Sequence, residues 1–278
     1  MHKTIIVTGG NDGIGKAVAE QLAAQTHRVV IVSRDAARGR QAQADIQDKT
    51  GTAVDLVVGE LGSIGSTRQL AATLLEQYPQ IHVLINNAGI WATRRRQNED
   101  GLEMSFMVNH MAPFILSNLL FERLQAGPSG RIVNVNAGLY VRGQLDLTKT
   151  PYGHDFSRLN TYANTKLCNV LFTMEFARRI EKTGVTINAV HPGVIRTKLG
   201  ESKGLLSALM RLVKRGWDAP EKGAEAPVWL AVSEVVAGIN GRYFDLQSEI
   251  PLTAPASDTA LAQKLWDLSA NLAHIETC

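Results

Sequence analysis

A short apolar segment that runs directly into a glycine-rich turn constrains the fold more than any other feature of the chain. The segment Thr4–Thr8 reads TIIVT, a composition typical of a buried parallel strand. Gly9, Gly13 and Gly15 follow in the spacing G-x-x-x-G-x-G, and an amphipathic stretch continues to Gln25. This order of strand, glycine turn and helix predicts a dinucleotide site, because free N–H groups at a helix N-terminus bind a diphosphate. A purely structural glycine turn is the alternative.

The residues of the turn have separate predicted roles. Gly9 allows the tight turn, Gly13 lets the backbone approach the diphosphate, and Gly15 permits close packing of the helix on the strand. We expect cofactor contacts along the whole turn, at Gly9, Asn11, Asp12, Gly13, Ile14 and Gly15.

The end of the next predicted strand, Arg28–Ser33, bears on which dinucleotide is bound. An Asp or Glu in this region binds the ribose hydroxyls of NAD, whereas a cation accommodates the 2′-phosphate of NADP. Arg34 follows the strand, with Ser33 or Arg38 as a helper, and predicts NADP(H). Asp35 argues weakly for NAD, since it lies one residue past the usual acidic position.

Tyr162 and Lys166 lie four residues apart near the start of a predicted long helix, and therefore share one face of it. The ammonium of Lys166 is expected to lower the pKa of the Tyr162 phenol from its reference value of about 10. Tyr162 would then exchange a proton near neutral pH. The spacing is common by chance, so a surface pair is the alternative and the other motifs must decide.

Two of those motifs are Asn86-Asn87-Ala88-Gly89, directly after a predicted strand, and Pro192-Gly193, directly after another. With the glycine turn and the Tyr–Lys pair they resemble the short-chain dehydrogenase/reductase family. The segments RIVNV at Arg131–Val135 and KLCNVLF at Lys166–Phe172 resemble its retinol-dehydrogenase-like branch.

The resemblance implies a single-domain Rossmann fold of the α/β class, a doubly wound parallel sheet of about seven strands with helices on both faces. The nucleotide half would span 1–130, the catalytic half 131–278, and a substrate lid about 199–217. The helix after Tyr162 has two apolar stripes, so it must be buried on two sides. The family suggests the same helix pair of another subunit as the second partner, in a homodimer or homotetramer.

The resemblance also assigns residues. Asn109 would lie at a helix kink and hold a water in a proton relay, and Lys166 would also hold the nicotinamide ribose. Cofactor contacts are implied at the glycine turn, Ser33, Arg34, Glu60, Leu61, Asn87, Ala88, Gly89, Tyr162, Lys166, Pro192, Gly193, Val194 and Thr197.

One family position is not filled. The serine that donates a hydrogen bond to the substrate carbonyl falls on Ala137, beside Asn136. Three explanations remain open: Asn136 supplies an amide N–H instead, the substrate needs no such donor, or the protein binds NADP without turning over ordinary carbonyls.

Composition narrows the classes of function. The 278 residues are 45% hydrophobic with a net charge of +3 and scattered basic residues, which does not suggest nucleic acid. Cys168 and Cys278 argue against a disulfide framework, and no metal site is indicated. We expect no signal peptide and no membrane span, since no apolar segment precedes the strand at Thr4 and no apolar run reaches membrane-spanning length. We therefore expect a cytoplasmic NADP(H)-dependent oxidoreductase that reduces a small or lipophilic carbonyl or oxidises the alcohol. The alternative is a catalytically impaired or non-redox NADP-binding protein.

Overall fold

The computed structural model describes residues 2–127, 129–194 and 219–276. Strands and helices alternate through the first half, as the sequence predicts: β1 (Thr4–Thr8), α1 (Gly13–Ala24), β2 (Arg28–Ser33), α2 (Ala36–Thr50), β3 (Asp55–Val58), α3 (Ile64–Gln77) and β4 (Val83–Asn86). Thr197, the expected lid at 199–217 and Cys278 lie outside the described residues.

The helical segment that follows β4 is interrupted. It consists of α4 (Met104–Phe106), a π-helical turn (Met107–Met111), α5 (Ala112–Leu119) and α6 (Phe121–Gln125). The remaining described elements are β5 (Arg131–Val135), α7 (Arg158–Arg179), β6 (Thr186–His191), α8 (Pro220–Val232), β7 (Tyr243–Asp245), β8 (Ser248–Glu249) and α9 (Thr259–Ala273), with short 3₁₀ turns between some of them.

The strands form one sheet in the order β3-β2-β1-β4-β5-β6-β7-β8. All pairings from β3 through β7 are parallel, and the two-residue β8 adds an antiparallel edge. The predicted α/β fold of the Rossmann type is therefore confirmed. Seven strands match the expectation, and β8 is the addition that the sequence did not indicate.

Alternate residues along each strand face opposite sides of the sheet, and both sides are buried. Ile6 and Leu84 belong to the hydrophobic cluster under α3, α5 and α7. Ile5 and Val83 belong to the cluster under α1 and α8. The sheet thus lies between two helical layers, and the carboxyl ends of its parallel strands meet along one edge.

The second apolar face of α7 packs against α9 of the same chain. Trp266 of α9 stacks on Phe172 and Phe176 with ring centroids 6.1 and 5.5 Å away, and it meets Phe114 of α5 edge-on at 4.9 Å. The part of α7 for which the sequence suggested another subunit therefore has its partner within the chain.

One buried polar contact also fixes α9. His110 Nε2 lies 2.9 Å from Ser269 Oγ, and burial lowers the pKa of His110 to about 3. The imidazole is neutral at physiological pH and serves the packing of α9. Within the described ranges, no helix is both long and apolar enough to cross a bilayer.

Candidate active site

The glycine turn lies at the carboxyl end of β1, beside β4, where the order of the sheet reverses. Gly9 and Gly13 have φ of +67° and +55°, a region that favours glycine. A Cβ built on Gly15 would lie 2.3 Å from Asn87 Nδ2 and 2.4 Å from the Gly9 carbonyl oxygen. Any larger residue at position 15 would therefore clash with the Asn87 side chain and with the backbone of the turn, in addition to disturbing the close packing of the helix.

Asn87 holds the turn in place. Its side chain donates to the Thr8 carbonyl (2.9 Å), while the Thr8 hydroxyl accepts the N–H groups of Asn87 and Ala88 (both 3.0 Å). Its neighbour Asn86 donates to Asn134 Oδ1 on β5 (2.9 Å). The two asparagines thus link the carboxyl ends of neighbouring strands.

The predicted adenosine end of the site has a defined arrangement of charges. Asp35 caps α2 by accepting the N–H groups of Ala37 and Arg38 (2.9 and 3.0 Å), and these hydrogen bonds lower the pKa of its carboxyl. Arg38 Nη2 pairs with Asp12 Oδ2 at 2.7 Å. Arg34 is exposed directly after β2. The carboxylate that argued for NAD is therefore engaged by a helix end.

The Ser33 hydroxyl donates to the Asp35 carbonyl at 2.8 Å. Ser33 and Arg38 were the candidates to help Arg34 bind a 2′-phosphate. Both side chains are thus bonded within the protein.

Asn109 lies in the π-helical turn, so the expected helix distortion is at this residue. Its side chain accepts the Ile90 N–H (2.7 Å) and donates to the Ile90 carbonyl (2.9 Å) and to Thr165 Oγ1 of α7 (3.0 Å). Pro113 has no N–H to give to the Asn109 backbone carbonyl, its α-helical acceptor four residues earlier. Asn109 therefore joins the chain after β4 to α7.

Tyr162 and Lys166 lie on one face of α7, with Lys166 Nζ 5.6 Å from the Tyr162 ring centroid. Lys166 Nζ donates to the Val135 carbonyl at 3.1 Å. A Cβ on Gly89 would lie 3.4 Å from Asn109 Oδ1 and 4.0 Å from Lys166 Nζ. The Asn-Asn-Ala-Gly segment, Asn109 and Lys166 thus converge.

Burial dominates the ionisation of both side chains. It raises the pKa of the Tyr162 phenol above its ordinary value and lowers the pKa of Lys166 to about 8. The expectation that Lys166 lowers the pKa of Tyr162 was wrong for this structure, because each side chain is only 6% exposed and desolvation disfavours both charged forms.

Asn136 points toward α7. Its amide donates to the Lys166 carbonyl (3.1 Å), and its oxygen accepts the Ala137 N–H (2.8 Å). These bonds tie the end of β5 to the turn of α7 that carries Lys166. The arrangement suits a residue that positions its neighbours better than one that donates to a substrate carbonyl.

The other predicted contacts lie along the same edge of the sheet. Pro192, Gly193 and Val194 follow β6, with Gly193 at φ +88° and Val194 55% exposed. Glu60 is exposed and Leu61 half-buried after β3, while Asn11 and Ile14 are half-buried in the glycine turn.

Sequence reasoning missed the side chain that covers Tyr162. Trp91 stacks on the Tyr162 ring with centroids 4.7 Å apart and planes tilted by 10°. Its signal was an aromatic residue two positions after the Asn-Asn-Ala-Gly motif. Two buried polar atoms nearby were also missed: His191 Nδ1 and the Tyr243 hydroxyl, neither of which has a partner among the described residues.

Comparison with known proteins agrees with this geometry. The sequence model of the family described as short chain dehydrogenase matches residues 3–205. Retinol dehydrogenase 14 of Mus musculus is 39% identical over 285 residues, covering 97% of this chain and 85% of that protein. The chain therefore belongs to the short-chain dehydrogenase family and is an alcohol/carbonyl oxidoreductase of its retinol-dehydrogenase-like branch. The family uses a nicotinamide cofactor.

Solved structures show the same fold. A crystal structure of a protein from Mycobacterium paratuberculosis superposes with a TM-score of 0.78 at 27% identity, covering 99% of this chain and 94% of that one. A short chain dehydrogenase from Burkholderia cenocepacia in complex with NADP has a TM-score of 0.70 at 25% identity, covering 88% of this chain and 96% of that one.

Proposed function

We propose that the protein is an NADP(H)-dependent reductase of a lipophilic aldehyde or ketone, working also in the direction of alcohol oxidation, with an active site that lacks the usual serine. The observation that carries this proposal is the convergence of Asn109 and Lys166 on Gly89, with Tyr162 one helical turn from Lys166. NADP(H), when bound, supplies or accepts the hydride.

The described residues fit such a cofactor. The glycine turn has the left-handed residues needed for close backbone approach and opens at the N-terminus of α1, where N–H groups and the helix dipole favour a diphosphate. We assign Gly9, Asn11, Asp12, Gly13, Ile14 and Gly15 to the diphosphate and its surroundings, and Asn87, Ala88 and Gly89 to the cofactor backbone.

The preference for NADP over NAD rests on Arg34. This exposed cation directly follows β2, and Asp35 is engaged as the cap of α2. A free guanidinium stabilises a 2′-phosphate, whereas a ribose hydroxyl gains most from a carboxylate. Glu60 and Leu61 would lie beside the adenine, and Pro192, Gly193, Val194 and Thr197 beside the nicotinamide.

In the proposed reduction, Tyr162 donates its phenolic proton to the carbonyl oxygen as the hydride reaches the carbonyl carbon. A phenol that stays protonated suits this direction, and burial keeps it protonated. Lys166 would hold the nicotinamide ribose. Its pKa of about 8 lets it act as a proton carrier near neutral pH. Asn109 would hold a relay water at its backbone carbonyl, which lacks its usual α-helical donor because of Pro113.

Asn136 is assigned a positioning role, since its amide joins Ala137 to the Lys166 backbone. Among the residues that the family uses in catalysis, Tyr162 is then the side chain that donates to the substrate oxygen, and Ala137 has no donor to offer. A substrate whose carbonyl is already polarised or conjugated fits such a site. Retinal, a conjugated aldehyde, is a reasonable probe because the relatives are named as retinol dehydrogenases.

The proposal extends to the domain organisation, the cellular location and the oligomeric state. We propose that the chain is one domain over 1–278, that it works in the cytoplasm, and that it forms a homodimer or homotetramer. Because α9 covers part of α7, a subunit contact on that side would have to include α9.

Calorimetric titration with NADPH and NADH, followed by NADPH oxidation with retinal and a panel of ketones, tests the proposal. We expect tighter binding of NADPH, turnover of at least one carbonyl, and loss of turnover in Tyr162→Phe. Binding of NADPH without turnover of any carbonyl would contradict the reductase assignment.

That outcome would favour the second candidate, an NADP-binding protein without redox activity. The absence of a hydroxyl at Ala137 is the observation in its favour. The two candidates share the cofactor site and differ only in turnover.

A further inference from the structure

Trp91 lies flat on the Tyr162 ring. The two centroids are 4.7 Å apart and the planes are tilted by only 10°, so the indole covers one face of the phenol. Aromatic pairs of this kind stabilise each other beyond the area they bury. Tyr162 is only 6% exposed as a result of this and its other contacts.

The position of the indole is determined from both sides. Trp91 Nε1 donates to the Arg158 carbonyl in the first turn of α7 at 2.7 Å, and Arg158 Nε donates back to the Thr93 carbonyl at 2.9 Å. The preceding residue, Ile90, is held at its N–H and carbonyl by Asn109. Two hydrogen-bonded clamps therefore flank Trp91.

These contacts are not explained by core packing. Trp91 is half-buried and belongs to neither of the two hydrophobic clusters formed by the described residues. Its ring contacts Tyr162, the side chain that donates the proton to the substrate oxygen in the proposed reaction. A misplacement of about 1 Å in such a group can lower a rate 10²-fold.

We propose that Trp91, held by Arg158, is a positioning residue that fixes the orientation of the Tyr162 ring and leaves its hydroxyl edge to the substrate. The inference rests on the proposed role of Tyr162 as proton donor. Trp91→Phe retains an aromatic face but lacks the indole N–H, whereas Trp91→Ala removes both. Comparison of the two separates stacking from anchoring.

The kinetic test uses the full-length protein, NADPH and retinal. We expect Trp91→Ala to lower kcat about 10–100-fold, while the NADPH dissociation constant measured by calorimetry stays unchanged. Trp91→Phe should retain most of the wild-type kcat. Trp229→Ala is the matched control, since Trp229 is also partly buried and packs edge-on against Phe244 of the hydrophobic cluster under α1 and α8. An unchanged kcat in Trp91→Ala would overturn the proposal.

A second test does not depend on activity. Trypsin releases residues 159–166 as a peptide whose single tyrosine is Tyr162, so its nitration by tetranitromethane is measurable by mass spectrometry. Trp91→Ala should speed nitration of this peptide and Trp91→Phe should not. Equal rates in wild type and Trp91→Ala would refute the contact.

The two tests separate the inference from the proposed function. If Tyr162→Phe turns over retinal like the wild type, the assigned proton donor is wrong. Faster nitration in Trp91→Ala would then still show that Trp91 covers Tyr162. The positioning role of Trp91 in catalysis would be overturned together with the role of Tyr162 as proton donor.

Discussion

Restoring a hydroxyl at position 137 tests how much the missing serine limits the enzyme. Ala137 has extended φ and ψ of −148° and 143°, which any residue adopts. Its N–H is bonded to Asn136 Oδ1 (2.8 Å), and its carbonyl accepts the Tyr140 N–H (3.1 Å). Ala137→Ser therefore adds one oxygen to a half-buried position without removing a hydrogen bond.

The expected gain follows from what such a donor contributes elsewhere. Removing one hydrogen-bond donor from a developing oxyanion costs about 10²–10³ in rate, or about 2.7–4 kcal/mol. If Tyr162 works alone, Ala137→Ser should raise kcat on unactivated ketones by up to about that factor. A conjugated aldehyde should gain less, because its carbonyl is already polarised.

The assay is NADPH oxidation by cyclohexanone and by retinal, with wild type, Ala137→Ser and Ala137→Cys. The cysteine is close in size but donates weakly, so it controls for volume. The reasoning is refuted if Ala137→Ser binds NADPH normally and gains nothing on the ketone, while Tyr162→Phe shows that the phenol is needed.

Four further substitutions are expected to have measurable effects. Arg34→Ala should raise the dissociation constant of NADPH about tenfold and leave that of NADH unchanged, since one charge-assisted bond to the 2′-phosphate is lost. Asp12→Asn should lower the dissociation constant of NADPH by releasing Arg38. Without cofactor, the free energy of unfolding of wild type should rise relative to Lys166→Met between pH 8 and pH 10, by about 1.4 kcal/mol per pH unit at most. Trp266→Ala should lower the free energy of unfolding by about 3–5 kcal/mol in urea.

The sign of the pH effect follows from the Lys166 pKa. Its folded value of about 8 lies below the ordinary value of 10.5. Between these values the unfolded chain binds more protons, so stability rises with pH and is least below pH 8. A parallel pH dependence in wild type and Lys166→Met would contradict the burial of a titrating ammonium.

The substitutions at the nucleotide site and at Trp266 have their own controls. Arg40→Ala removes an exposed arginine of the same helix as Arg38 and should not alter the preference for NADPH. Trp266→Phe retains an aromatic ring among Phe172 and Phe176 and should lose much less stability than Trp266→Ala. Equal losses would mean that the stacking on α7 is not what holds α9.

Features that depend on residues close together in the chain could be predicted from the sequence. The glycine turn after β1, the one-turn spacing of Tyr162 and Lys166, and the alanine at position 137 are local patterns. Chain geometry converts such spacings directly into a turn or a shared helix face. The fold class followed because alternating strands and helices with these turns have few ways to bury both faces of a sheet.

Contacts between distant segments became visible only in the folded molecule. The side chain of Asn136 turns toward the Lys166 backbone, Trp91 lies on Tyr162, and α9 fills the face of α7 that suggested a second subunit. Neither spacing nor composition encodes such contacts, because they depend on how the layers pack. Burial likewise reversed the expected effect of Lys166 on the pKa of Tyr162: the charge attraction was visible in the sequence, whereas the loss of water around both groups arises only in the folded protein.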